Sequence, residues 1–102
     1  MDYKVGDFYM AKEYKDCGYN FPSGKYKLKA INDGFPDKPI NNENELDVAK
    51  EQWLEGVMGT DQYEKDVDSN WFFWEFPDNE NNIDYMWIPE AVVREVFTPI
   101  NN

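Results

Sequence analysis

The sequence predicts a mainly β, α+β protein of about five strands, with a helical insertion near residues 44–57. Three observations support this class. Short segments rich in aromatic and β-branched residues are separated by turns, one segment alternates lysine with apolar residues, and one stretch has helical spacing. The chain has 102 residues, which is the length of one domain. We therefore expect residues 1–102 to form a single domain.

The first predicted strands lie on either side of a loop. Residues 5–14 (VGDFYMAKEY) open with a Gly-Asp turn and continue as a mixed aromatic strand. Residues 16–24 are rich in Gly, Pro, Asn and Ser, a composition typical of loops. Residues 25–31 (KYKLKAI) alternate, so Tyr26, Leu28 and Ala30 are expected to share one face of a strand.

The other face of this strand carries Lys25, Lys27 and Lys29. Two interpretations fit this lysine triplet. It is either a binding stripe or the solvated face of a strand whose charges discourage edge-to-edge association. The second interpretation is the commoner one and is favoured here.

A helix is predicted at residues 44–57. Asn42 or Asn44 can cap its start, and Glu45 and Asp47 suit the positive end of the helix dipole. We interpret its apolar stripe as core rather than as a groove for a partner; the stripe consists of Leu46, Ala49, Trp53 and Val57.

The C-terminal third predicts a hairpin and a short helical turn, after an acidic connector at 60–70. Residues 71–76 (WFFWEF) are apolar on both faces and predict a central strand, which pairs with a strand at 83–88. The rings of 71–76 are interpreted as core first, as a protein interface second, and as a base-stacking platform third, because their neighbours are acidic. Pro89 can open a short helical turn before a last strand at 96–97.

The order of these segments resembles that of SH3-like small β-barrels. Residues 5–14 look like the first strand of such barrels, and residues 20–31 (NFPSGKYKLKAI) look like their loop, glycine turn and second strand. The closest part runs from WFFWEF to DYMWIPEAVVREV, with Pro89 opening a short turn before the last strand. The resemblance implies a barrel of about five strands in which residues 32–69 form a helical insertion.

Binding of proline-rich peptides is not implied by this resemblance. SH3 domains that bind such peptides have an ALYDY-type motif near the start, and the chain has no match to it. They also place a tyrosine three residues after the conserved proline, where this chain has Val92. The architecture therefore carries over without the peptide-binding function.

The charge of the chain favours a cationic partner. The net charge is −11. Residues 1–29 contain six lysines and four acids, whereas residues 30–102 contain four basic and 17 acidic residues. A protein this acidic is a poor direct ligand for nucleic acid or an anionic membrane. The alternative is that the charge only confers solubility.

Enzyme chemistry has little support in this sequence. There is no histidine and there is one cysteine, Cys17, which excludes His-based nucleophile pairs and His-ligated zinc. The run Asp66-Val-Asp68-Ser-Asn70 begins like an EF-hand loop, but Trp71 and Pro77 replace its glycine and last glutamate. A second acidic run at 78–84 fails in the same way. We expect no catalytic residue, cofactor, dedicated metal site or small-molecule ligand; weak calcium binding is the alternative.

The sequence also predicts an intracellular, cytoplasmic location. The N-terminus MDYKVGDFYM has no apolar signal segment, and no apolar run approaches the length of a membrane span. A single cysteine cannot form an internal disulfide.

These observations predict a non-enzymatic protein-binding protein. In its most specific form, it imitates the charge of a nucleic acid and inhibits a basic nucleic-acid-binding protein, as small phage and mobile-element inhibitors such as anti-CRISPR proteins do. The exposed members of one acidic set are expected to contact the partner: Glu43, Asp47, Glu51, Glu55, Asp61, Glu64, Asp66 and Asp68. The alternative is an SH3-like adaptor that binds a peptide or subunit through exposed rings at Tyr19, Phe21 and Trp87.

Overall fold

The computed structural model describes residues 3–16, 19–40, 43–79 and 82–100. The elements in chain order are β1 (Phe8–Ala11), β2 (Tyr14–Asp16), β3 (Tyr19–Phe21), β4 (Gly24–Asp33), α1 (Glu45–Val57), α2 (Asp61–Val67), β5 (Asn70–Asn79), β6 (Asn82–Pro89), α3 (Glu90–Val96) and β7 (Phe97–Pro99). The protein is therefore α+β and rich in strands, as predicted. None of the described helices is long and apolar enough to cross a membrane.

Five strands form one antiparallel sheet in the order β6-β5-β4-β1-β7. The strands β2 and β3 form a separate antiparallel hairpin between β1 and β4. Within the described residues, the edge strands β6 and β7 do not pair with each other. The predicted number of strands matches the main sheet, but the predicted closure into a barrel is not observed.

The lysine alternation in β4 separates the two faces of the sheet as predicted. Tyr26 and Leu28 are buried on one face, here called the inner face, while Lys25 lies exposed on the opposite, outer face. Leu28 lies opposite Trp74 of β5, so the inner face continues across the strand pair. A shift in register between Leu28 and Ala30 adds a bulge at this point, so Ala30 lies opposite Phe73 on the outer face, and its predicted place beside Tyr26 and Leu28 is wrong.

The inner face is covered by α3 and by the segment that precedes β1. The Tyr3 ring packs 5.0 Å from the Tyr9 ring and 5.3 Å from the Phe72 ring. Its hydroxyl donates a hydrogen bond of 3.0 Å to the Phe97 carbonyl. Burial raises the pKa of the Tyr3 hydroxyl, although the charge of Arg94 acts in the opposite direction. The hydroxyl therefore remains protonated and able to donate.

The outer face is covered at one end by the helical segment. The Trp53 ring of α1 lies 5.2 Å from Trp71 of β5 and stacks on Phe35, also at 5.2 Å. The helix α1 also contacts β6. The predicted helix is thus confirmed, and its stripe belongs to the core, because Ala49, Trp53 and Val57 are buried.

Two predicted connections contain regular structure. The predicted connector at 60–70 contains α2, and the predicted loop at 16–24 contains β3. The helix α2 has no apolar stripe, so its sequence alone does not have a helical pattern. The hairpin of β5 and β6 also extends into the predicted turn at 77–82, where Asn79 pairs with Asn82.

Truncation of Leu28 is expected to destabilise the protein. Leu28 is 0% exposed, so Leu28→Ala should lower the free energy of unfolding by about 2–5 kcal/mol through lost burial and a cavity. Urea denaturation followed by tryptophan fluorescence measures this change. The control is Ile31→Ala on the same strand, where the side chain is 39% exposed. An equal loss in both variants would contradict the assignment of Leu28 to the core.

Candidate protein-binding surface

The outward face of α1 presents a row of carboxylates. Because Ala49, Trp53 and Val57 point into the core, residues on the opposite side of the helix face solvent. Asp47, Glu51 and Glu55 are exposed and are spaced four residues apart, so they lie one above another along the helix. We call these three residues the acidic ridge.

The acidic ridge is not neutralised by salt bridges within the described residues; the one cation of α1 is Lys50, which is exposed three residues after Asp47. None of its members forms a salt bridge there, and the last turn of α1 has no basic residue. Like charges four residues apart destabilise a helix by about 0.2–0.5 kcal/mol per pair. Glu55 also lies toward the negative end of the helix dipole. Asp47 lies in the first turn, where the dipole favours it, so it is the repulsion within the ridge and the position of Glu55 that oppose the helix.

Two apolar side chains accompany the ridge. Val48 is 50% exposed and Met58, one residue beyond the helix, is 64% exposed. At 100° per residue, both positions fall on the same side of the helix as the ridge. The outward side of α1 is therefore mixed, with negative charge and exposed apolar surface together.

The other exposed acids of the predicted set lie in the same helical segment. Glu43 precedes α1 and is exposed. Asp61 and Glu64 are exposed on α2, and Asp68 is exposed just after it. The two helices contact each other. Seven of the eight predicted carboxylates thus lie on the solvent side of one segment, and three of them form the ridge.

Asp66 is the exception: it is buried and so is not one of the exposed members expected to contact a partner. Its side chain is 2% exposed. One carboxylate oxygen accepts a hydrogen bond of 3.0 Å from the Trp53 indole N–H, and the other accepts one of 2.8 Å from the Gln62 amide. Its backbone carbonyl accepts a 2.8 Å hydrogen bond from the Trp71 indole N–H. Asp66 therefore fixes α2 against α1 and the sheet.

Glu45 also fixes a helix by hydrogen bonds. The charge pattern of the sequence did not indicate this role. The sequence suggests only a favourable charge at the start of α1. In the structure, its Oε2 atom accepts a hydrogen bond of 3.0 Å from the Trp87 indole N–H and one of 2.7 Å from the Ile40 backbone N–H. Glu45 thus ties the beginning of α1 to β6 and to the preceding loop.

The alternative aromatic interface is not available as predicted, because Tyr19, Phe21 and Trp87 are all buried. The Phe21 ring packs 5.8 Å from Phe97 in the core. The Trp87 ring lies 4.8 Å from Phe73, and its N–H is bonded to Glu45. These rings are core residues, so an adaptor function through them lacks an exposed surface.

The acidic runs do not converge on a metal site in the part of the chain that is described. No group of three or more Cys, Asp or Glu residues there could hold an ion. In the first run, Asp66 points into the protein while Asp68 is exposed. The second run, at 78–84, lies largely outside the described side chains.

No protein-family model matches this chain, and no curated protein or solved structure is significantly similar to it. Any function must therefore be inferred from the chemistry of its surfaces.

Removal of the Asp66 carboxylate is expected to destabilise the fold. Asp66→Ala leaves the buried Trp53 N–H without its acceptor, which should lower the free energy of unfolding by about 1–3 kcal/mol. Chemical denaturation measures this loss, and near-ultraviolet circular dichroism reports the environment of the tryptophan. Asp68→Ala is the control, since Asp68 is exposed and should cost little. Equal effects in the two variants would refute the anchoring role of Asp66.

Neutralising the middle of the acidic ridge is expected to stabilise the protein slightly. Glu51→Gln removes two like-charge pairs at four-residue spacing, which should raise the free energy of unfolding by about 0.4–1 kcal/mol at low salt. The gain should shrink at high salt because exposed charges are screened. A loss of stability in thermal unfolding at low salt would show that Glu51 makes a favourable contact.

Proposed function

We propose that this chain is a non-enzymatic protein-binding protein that docks the acidic ridge of α1 on a basic surface of its partner. The observation that carries this proposal is the ridge itself. Asp47, Glu51 and Glu55 form a slanting row of exposed like charges without a salt bridge among the described residues, and Val48 and Met58 beside them are exposed. A basic partner would relieve the repulsion and cover the apolar surface.

The charge of the whole chain supports the same conclusion. A net charge of −11 produces a negative field that attracts cationic surfaces and accelerates their encounter. The exposed acids of α2 and of Asp68 enlarge this field around the helical segment. Binding of this kind weakens as salt screens the charges.

The more specific form of the proposal is an inhibitor that imitates nucleic acid. Four residues of α-helix advance about 6 Å, so the ridge places one negative charge about every 6 Å. One strand of duplex DNA places a phosphate about every 3.4 Å along its axis. The ridge thus offers a slanting row with roughly half of that charge density, which could enter a groove built for a phosphate backbone. A phage or mobile-element origin is part of this more specific proposal.

We further propose an SH3-like architecture and an intracellular partner. The order of elements supports the first, with a hairpin between β1 and β4, helices between β4 and β5, and α3 between β6 and β7. The single cysteine supports the second, since a lone thiol suits a reducing compartment.

A capture experiment with a matched control tests the proposed function. The bait is the tagged chain, and a nuclease-treated bacterial lysate supplies the partners. The triple variant Asp47→Asn, Glu51→Gln, Glu55→Gln removes the ridge charges. We expect it to lose basic nucleic-acid-binding proteins that the native chain retains at about 0.1 M salt and releases at about 0.5 M, where surface charges are heavily screened.

The control changes the same residue types elsewhere: Asp37→Asn, Glu13→Gln and Glu95→Gln are all at exposed positions. Because both triple variants have the same net charge, only the location of the acids differs. The control should retain the partner. Added duplex DNA should compete with the native chain if the partner site is a nucleic-acid groove. Equal capture by the two triple variants would contradict the ridge as the binding surface.

A further inference from the structure

A second surface of opposite character lies on the uncovered end of the sheet's outer face. The strand register places Phe8 of β1 opposite Lys27 of β4, and Met10 opposite Lys25. Lys27 lies opposite Glu75, which in turn lies opposite Tyr85 of β6. We call the set Phe8, Met10, Lys25, Lys27 and Tyr85 the lysine–aromatic surface.

This surface combines apolar exposure with positive charge. Phe8, Met10 and Tyr85 are 41%, 49% and 38% exposed. The Lys25 and Lys27 ammonium groups lie 4.8 Å and 5.8 Å from the centre of the Phe8 ring. Such cation–π contacts hold lysine side chains over an aromatic face. Most of the chain is acidic, so a cationic patch around exposed rings is unusual within it.

The two lysines have no carboxylate partner in the described part of the chain. The ion pairs there join Lys29 to Glu75, at 3.4 Å, and Arg94 to Glu90. Lys25 and Lys27 are therefore available to acids from outside the molecule. The acidic ridge likewise forms no salt bridge within the described residues, so neither surface has its charges paired inside one copy of that part of the chain.

We propose that the lysine–aromatic surface binds the outward side of α1 from a second copy of this chain. The charges are complementary, since the ridge supplies carboxylates and the surface supplies Lys25 and Lys27. The apolar parts are also complementary, with Val48 and Met58 on one side and exposed rings on the other. Because the two surfaces belong to the same chain, every copy brings both halves of the contact.

A depression of about 330 Å³ lies at the edge of the lysine–aromatic surface. It is lined by Asp7, Phe8, Tyr9, Lys25, Pro99 and Ile100. An exposed, unbranched side chain can adapt to an irregular depression of this kind. The side chain of Met58 has that character and lies next to the acidic ridge.

Self-association would regulate the proposed function, on which this inference rests because both use the acidic ridge. A second copy covers the ridge and competes with a foreign basic partner. Two chains of charge −11 also repel each other at long range, so the contact is weak. It forms at high concentration and at moderate salt, where the Debye length of about 8 Å screens net repulsion more than contacts at the interface.

Sedimentation equilibrium over a concentration series at about 0.15 M salt tests the proposal. The variant Lys25→Glu, Lys27→Glu and the variant Glu51→Lys, Glu55→Lys each place like charges at the contact. Each should weaken self-association by more than about tenfold, since like charges across an interface oppose binding. Combining all four substitutions in one chain should restore it, and so should mixing the two double variants.

The control replaces two lysines elsewhere, Lys12→Glu and Lys38→Glu, at exposed positions. It has the same net charge as the Lys25→Glu, Lys27→Glu variant and should still self-associate. When this control pair is combined with Glu51→Lys, Glu55→Lys, it should not restore self-association. The net charge of that fourfold variant nevertheless equals that of the native chain. Circular dichroism and thermal unfolding of every variant verify that each one folds.

Three results would overturn the inference. The first is that the native chain is monomeric at all concentrations. The second is that the combined charge reversals on the two surfaces fail to restore self-association. Third, a poly-glutamate peptide could bind a monomeric native chain through Lys25 and Lys27, which would assign the surface to an acidic partner instead. Capture of a basic partner by the Lys25→Glu, Lys27→Glu variant separates the two proposals. It should persist if the proposed function is correct, whether or not the chain self-associates.

Discussion

The acid-bearing helices α1 and α2 are held against the sheet by hydrogen bonds from indole N–H groups. The donors lie on α1 and on the sheet, and the acceptors belong to acidic residues. Trp53 of α1 donates to the Asp66 carboxylate, and Trp71 of β5 donates to the Asp66 backbone carbonyl. Trp87 of β6 donates to Glu45 at the start of α1. These bonds satisfy buried polar groups and at the same time orient the rings that pack between helices and sheet. The stacking of Trp53 on Tyr63, at 4.9 Å, adds a contact between α1 and α2. The position of the acidic ridge depends on this junction, because it turns the buried side of α1 inward.

The sheet divides the molecule chemically as well as structurally. Its inner face is an aromatic core in which Trp74 stacks on Phe97 at 4.0 Å. Its outer face is split, with rings under the helical segment at one end and exposed lysines at the other. Large rings bury much area from few residues, which allows a short chain with a net charge of −11 to remain folded despite its self-repulsion. The acids are concentrated on the helical segment and unpaired lysines on the uncovered end of the sheet, so the described residues form two solvent-facing surfaces of opposite sign.

The periodicity of apolar residues in the sequence predicted the strands and helices that bury one face and expose the other. The alternation around Tyr26 and Leu28 located β4, and the stripe through Trp53 located α1. Periodicity failed for α2, where Tyr63 and Val67 are only partly buried and the buried residue is the charged Asp66. It also failed for β3, whose strand lies within a Gly- and Pro-rich segment. The exposure of the ridge could be predicted, because it follows from helical spacing opposite an apolar stripe. The burial of Asp66 and Trp87 could not be predicted, since it depends on donors and acceptors that meet only after the chain folds. Closure of the sheet would require long-range pairing of β6 with β7, and local sequence patterns give no information about such pairing.

The carboxylates of this chain have two physical roles, and the difference between them links stability to binding. Glu45 and Asp66 accept hydrogen bonds from indole N–H groups and so stabilise the fold, whereas the mutual repulsion of Asp47, Glu51 and Glu55 in solvent opposes formation of α1. A cation brought against the ridge removes that repulsion in the native state only, because the row exists only when the helix is formed. Binding of a basic surface and folding of α1 are therefore thermodynamically coupled, and a partner that engages the ridge stabilises the native state. The same coupling applies whether the lysines come from a foreign protein or from a second copy. The relative concentrations and affinities of these two ligands then decide which surface covers the ridge.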